Sequence, residues 1–237
     1  MAITRSTAVS NRTTGATTLT LSSVTVPAGS DRILEVAVGL STSTSSVSSI
    51  SFNGSEALSS VRVRTQSTGS QSRAEVWRLV APTATTANVV ITLASSSNII
   101  ATAQPWAGVN QTTPHSPTTA HRQGGTGITT WSDTGGNSVP WGGGDDVQVA
   151  WIFHRNDTIG WTTDAGVTER TNATAGGAST YMRIVQVTDQ QDESGKVWGA
   201  SASSVDGSVI SYNLIAASAG GSSIAAIVSG YQQRGTI

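Results

Sequence analysis

Cysteine is absent from the chain, which removes disulfide scaffolding, thiolate metal ligation and thiol catalysis together. Charge is scarce. Asp, Glu, Lys and Arg fill 11% of the positions, the formal net charge is -1, and Lys196 is the single lysine. Such a chain has no basic field to collect the roughly six to ten phosphate contacts that drive tight nucleic-acid binding, so no nucleic-acid partner is expected. Long hydrophobic runs are missing as well. No stretch approaches the roughly 18 apolar residues of a membrane-spanning helix, and the opening MAITRSTAVSNRTTG has no apolar core of a secretory signal. The expectation is synthesis in the cytoplasm and no membrane partner.

What fills the 237 residues instead is Ser and Thr, together nearly a third of the chain, with 25 Gly and 37% hydrophobic positions. Hydroxylated and β-branched residues punctuated by glycine favour strands and tight turns over helices. The length supports one large core or two small ones.

Period-two alternation, which places residues of like parity on one face of a strand, runs through most of the chain. Val147, Val149, Trp151 and Phe153 share a face against Gln148, Ala150, Ile152 and His154. The first set is predicted as core. Ile210, Tyr212 and Leu214 are predicted inside, with Ser211 and Asn213 outside. In Arg32–Leu40, Leu34, Val36, Val38 and Leu40 face one way, with Glu35, Ala37 and Gly39 on the other; so continuous an apolar run suits a central strand. Val89, Ile91 and Leu93 form a further half-buried strand. Leu19 and Leu21 differ in parity from Val24 and Val26, which predicts a bulge or a sheet crossing at Ser22 and Ser23. Asn53-Gly54, between Val47–Phe52 and the alternating Val61 and Val63, predicts a type I′ hairpin. Further strands are expected at Ala74–Val80, Thr180–Val187 and Lys196–Ser201. The reading is all-β: a single two-sheet, jelly-roll-like antiparallel β-sandwich over 16–218, with a polar N-terminal arm at 1–15 and a short tail at 219–237.

Two regions depart from strand patterning. Residues 111–144 carry Pro114, Pro117, Pro140, two histidines and many glycines, and predict a long surface excursion with one short strand near Ile128. Beyond Gly220-Gly221, the residues Ile224, Ile227, Val228 and Tyr231 recur at helical spacing, and they also fit an edge strand. Their apolar side chains are candidates for binding a neighbouring subunit, which implies a homo-oligomer.

The common catalytic signatures are missing as a group: no G-x-S-x-G elbow, H-E-x-x-H, Walker loop or G-x-G-x-x-G occurs. A non-enzyme is expected, with no cofactor. His115 and His121, six apart and without a helix to align them, suit a solvated loop better than a zinc site. The acids Asp145-Asp146 and Asp189, Asp192 and Glu193 stand in turn-like sequence. They are read as solvated turn acids, with calcium ligation or a glycoside-hydrolase carboxylate pair as the sharper alternatives. Sequons begin at Asn11, Asn53, Asn110, Asn156 and Asn172 and follow from the Ser/Thr content. The aromatic choice is unusual: 7 Trp against 2 Phe. Trp77 and Trp151 lie in predicted strands. Trp131, Trp141 and Trp161 lie in Gly-, Thr- and Asp-rich sequence, where exposed indoles are candidate carbohydrate platforms and the alternative is that they cap the ends of the sandwich.

The run RILEVAVGL, the hairpin SISFNGSEAL, the strand AEVWRLVAP, then NVVITLA and PWAGVNQTTP, in that order, resemble the jelly-roll-like sandwich domain of phage virion accessory proteins and bacterial surface proteins. The likeness covers about Thr17 to Ala217 and ends in G-V-x-Q-x-x-P at Gly108–Pro114. The resemblance implies structural or adhesive work and carries no catalytic residues. Lacking the leader and anchor expected of a bacterial surface relative, the chain is expected to be a capsid decoration or fibre component. It would be made in a host cytoplasm, placed on the virion surface, and bound there to major capsid or tail proteins. The alternative is a glycan-binding or receptor-binding module.

Overall fold

A computed structural model describes residues 2–66, 71–116, 120–123, 128–132, 145–154, 161–163, 168–175, 182–189 and 197–218. Among these residues there is no helix, and all pairing between strands is antiparallel. The strands are β1 (Thr4–Arg5), β2 (Val9–Thr25), β3 (Ile33–Leu40), β4 (Val47–Phe52), β5 (Glu56–Ala57), β6 (Ser59–Gln66), β7 (Ser72–Val80) and β8 (Thr86–Ala107) in the first half. The second half holds β9 (Ala120–Gln123), β10 (Ile128–Ser132), β11 (Val147–His154), β12 (Trp161–Thr163), β13 (Thr168–Ala175), β14 (Met182–Asp189), β15 (Val197–Val205) and β16 (Gly207–Leu214). The all-β sandwich class is as the alternation predicts.

The first eight strands make one sheet, in the order β5-β4-β8-β3-β7-β6, with β1 and β2 also paired to β8. β8 is long enough to serve two sets of partners. Its first part pairs with β4, its second with β3, and β2 follows it along both. The sheet therefore curls nearly into a barrel around Leu19, Leu21, Leu34, Val36, Val38, Phe52, Val89, Ile91 and Ile99. A second sheet, β13-β14-β11-β16-β9, packs on the outer face of the curl. Between the two lie Ile33, Ala37, Val76, Ile100, Trp106, Val149, Trp151, Phe153, Ile210 and Tyr212. Both faces of β3 are thus core, and β3 is central, as its continuous apolar run implies.

Local geometry follows the sequence at two turns. The register slips between Leu21 and Val24, and Ser23 takes φ 59, so the parity change is a bulge. Asn53 and Gly54 both have positive φ, at 50 and 76, and turn β4 into β5. The strand after that hairpin goes elsewhere: β6, with Val61 and Val63, pairs with β7 at the far side of the sheet.

Other expectations need correcting. The segment 1–15, expected as an arm, enters the sheet through β1 and the first residues of β2. Ser211 and Asn213, expected outside, are buried, as are Ala150 and Ile152. The second face of this sheet is therefore covered too, and β10 of a three-stranded sheet, β10-β15-β12, lies against β16. In the excursion 111–144 the short strand expected near Ile128 is β10, and among the described residues β9 is a second strand that was not expected. The tail 219–237, with Ile224, Ile227, Val228 and Tyr231, lies outside the described residues.

Candidate functional site

The one charged group on the inner face of β3 is Glu35, and it is fully buried. Antiparallel register sets Gln104 of β8 on one side of it and Arg78 of β7 on the other. A buried carboxylate must collect hydrogen bonds to offset its lost hydration. Glu35 collects three. Trp106 Nε1 donates to Oε2 at 2.8 Å, while Tyr212 Oη donates to Oε1 at 2.8 Å and His115 Nε2 to the same oxygen at 2.6 Å. Tyr212 Oη in turn accepts from Trp151 Nε1 at 2.8 Å. The His115 ring meets the Tyr212 ring edge-on, centroids 4.5 Å apart.

Arg78 Nη1 lies 2.9 Å from His115 Nδ1. A guanidinium only donates, so Nδ1 is the acceptor and Nε2 carries the hydrogen given to Glu35. The chain Arg78–His115–Glu35–Tyr212–Trp151 therefore donates inward from both ends, converging on the Glu35 carboxylate, and joins the two sheets. Burial is the main cause raising the Tyr212 pKa well above its ordinary value, and the charge and hydrogen bond of Glu35 add to it. For Arg78 burial lowers the pKa, with Glu35 the leading opposing influence.

His115 reaches this position because residues 108–116 do not form a loose loop. Gly108, at φ +76, lies so close to Ala2 that a Cβ there would stand 2.5 Å from its carbonyl oxygen. Val109 N donates to Asp31 O, Asn110 N to Ile215 O, Ile215 N to Pro114 O and Ser116 N to Asn213 O. Asn110 Oδ1 accepts from the amides of Thr112 and Thr113. The G-V-x-Q-x-x-P stretch is thus a clasp that crosses from the first sheet to the end of β16 and delivers the imidazole inward. His115, expected in solvent, is buried, because both of its nitrogens have partners there.

A second buried carboxylate, Glu75, holds the opposite face. Its Oε1 accepts from Arg73 Nε and the Val47 amide, and its Oε2 from Trp77 Nε1. Asp146, a candidate calcium ligand, accepts from the Ala216 amide at 2.7 Å, and Asp145 is exposed beside it. Among the described residues no group of three His, Asp or Glu side chains is placed to hold a metal ion. Asp189 is the last residue of β14; Asp192 and Glu193 lie outside the described residues.

Of the candidate sugar-binding tryptophans, Trp141 lies outside the described residues. The register places Trp131 of β10 opposite Gly199 and Trp161 of β12 opposite Ser201, on the two strands flanking β15. His121 of β9 pairs opposite Ile210. No family model, no curated protein and no solved structure matches the chain.

Proposed function

We propose that this chain is a non-enzymatic structural protein of a phage particle, a capsid decoration or fibre component that binds neighbouring subunits at the virion surface. The observation that carries the non-catalytic part is the use made of the best-assembled titratable cluster. Glu35, His115, Tyr212 and Arg78 are turned toward one another, with the carboxylate, both imidazole nitrogens and the phenol all engaged internally. A hydrolytic site needs a nucleophile or a proton acceptor directed at substrate, whereas these groups clamp two sheets together. The virion part rests on the resemblance of Thr17–Ala217 to accessory sandwich domains, whose quoted segments supply β3, β4, β7, β8 and the clasp. Mass spectrometry of purified phage particles whose genome encodes the chain tests it: a stoichiometric band supports the reading, and absence from particles but presence in infected cells overturns it.

One observation favours a second reading. β10 and β12 bring Trp131 and Trp161 to register positions two residues apart on either side of β15, which suits a surface that stacks on sugar rings. A glycan array decides between this module and a purely structural component.

A further inference from the structure

Glu35 of β3 and Arg78 of β7 stand directly opposite each other in the antiparallel register, an acid beside a base. Their side chains do not pair. The imidazole of His115 is inserted between them, with Nδ1 accepting from Arg78 Nη1 at 2.9 Å and Nε2 donating to Glu35 Oε1 at 2.6 Å. The three differ in depth: Glu35 is fully buried, the His115 side chain is 6% exposed and Arg78 is half-buried. Nδ1 is therefore the nitrogen on the solvent side of the ring, and Nε2 the one on the core side. The remaining titratable group that faces the imidazole is Tyr212 of β16, which meets its ring edge-on and donates to the same Glu35 oxygen. The charges that bear on Arg78 are likewise those of Glu35 and Tyr212.

We propose that His115 is a proton-operated latch for Arg78: uptake of a proton at Nδ1 releases the guanidinium to solvent, while the bond from Nε2 to Glu35 stays in place. Nδ1 has one lone pair in the ring plane, so it accepts from Arg78 or binds a proton and cannot do both. Once it carries hydrogen it is a donor facing a group that has only donors, and two positive charges stand at hydrogen-bond distance. Arg78, half-buried on a long side chain, is the partner that can leave. Glu35 stays, and its bond to the ring strengthens because both partners are then charged. The proton comes from water, and no other hydrogen changes place. The sign follows: the Arg78 contact needs the neutral ring, so it is intact at the alkaline end of the imidazole range and lost toward the acid end. Acid thereby frees a positive charge beside exposed Ser59 of β6, the residue opposite Arg78 on its other side. The latch goes beyond the structural reading above and does not rest on it. The alternative is a fixed brace, in which Arg78 holds the ring neutral throughout.

The full chain is titrated with acid from about pH 8 to about pH 5, the range in which an imidazole ordinarily changes charge. NMR follows the His115 ring, the Arg78 Nε–H and the amides of Ser116 and Ile215. The ring and guanidinium signals should move with one midpoint, and the two amides should keep their protection because the clasp stays closed. In Arg78→Met nothing competes with the proton, so the His115 midpoint should rise by about one pH unit. His115→Gln has no group to titrate there, and its Arg78 signal should stay flat. A ring that remains neutral over the whole range overturns the latch and leaves the brace. So does a titrating ring with an unmoved Arg78 signal, or an unchanged midpoint in Arg78→Met. Loss of the Ser116 and Ile215 protection at the same midpoint overturns it in the other direction, since the proton would then open the clasp itself.

Discussion

The ring of Phe153 in β11 rests directly on Gly39 of β3: a Cβ built at position 39 would stand 2.6 Å from Phe153 Cδ1 and 3.1 Å from Ile100 Cγ2. The two sheets touch here at backbone distance, and glycine is what permits it. Gly39→Ala should therefore cost about 1–3 kcal/mol through overpacking, because the neighbour is a buried ring in a close-packed core. Phe153→Leu introduced beside it should recover part of that loss, a coupling that a double-mutant cycle in urea would read. Additive losses would place the cost of Gly39→Ala outside its contact with the Phe153 ring.

Much of this fold is legible in the sequence because alternation reports burial directly. Val149, Trp151 and Phe153 lie in the core where their parity puts them, and the Leu21–Val24 parity change is a bulge. Alternation fails where both faces of a strand are covered. Ser211 and Asn213 read as solvent-facing because they are polar, yet both are buried, and a single sequence does not announce that the second face of a strand is covered. The clasp was hidden for a related reason. Pro114 and the polar residues around it read as loop, while their pairing with β16 is a long-range event. The signal for the site was Glu35 itself: an acid at an inner parity position of an apolar strand requires donors, and Trp106, His115 and Tyr212 are residues that carry them. Trp131 and Trp161 stand out in the sequence only by residue type and surroundings, and their common neighbour β15 depends on a register that only the fold supplies.

Trp151 bridges the packing and polar parts of the core, since its ring is fully buried and its Nε1 donates to Tyr212 Oη. Trp151→Ala should cost about 3–5 kcal/mol, and Trp151→Phe, which keeps most of the ring but leaves Tyr212 with one partner fewer, should cost less. Chemical denaturation of the two variants gives the comparison, and equal losses would place the whole effect in the hydrogen bond.

Tyr212 sets an alkaline limit. Its pKa is raised in the folded protein, by burial and then by Glu35, from an ordinary value of 10.0. The unfolded chain releases this proton first. The contribution is thus intact below about pH 10 and is lost as pH rises toward the folded value, at up to about 1.4 kcal/mol per pH unit. Tyr212→Phe should lower stability at neutral pH and flatten the decline above pH 10. In an absorbance titration of the 3 tyrosines, the phenolate signal of Tyr212 should appear only with unfolding; its appearance in the folded protein near pH 10 would contradict the buried network.

The clasp offers the sharpest test of how the sheets are joined. His115 gives Glu35 a hydrogen bond at 2.6 Å through Nε2 and accepts from Arg78 through Nδ1, while the flanking Pro114 oxygen and Ser116 amide pair with β16. His115→Leu fills similar space but leaves the buried carboxylate one donor short and Arg78 without its acceptor, so it should cost about 1–3 kcal/mol or more. His115→Gln retains a side-chain N–H for Glu35 and should recover most of that loss; Arg78 is only half-buried and can turn to water. Amide exchange localises the effect. In His115→Leu the Ser116 and Ile215 amides should exchange faster, while those of Leu34 and Val36, inside the curled sheet, keep their protection relative to the global stability. If Leu and Gln variants are equally stable, the Glu35–His115 bond contributes nothing net and the clasp is held by its backbone pairing with β16 alone.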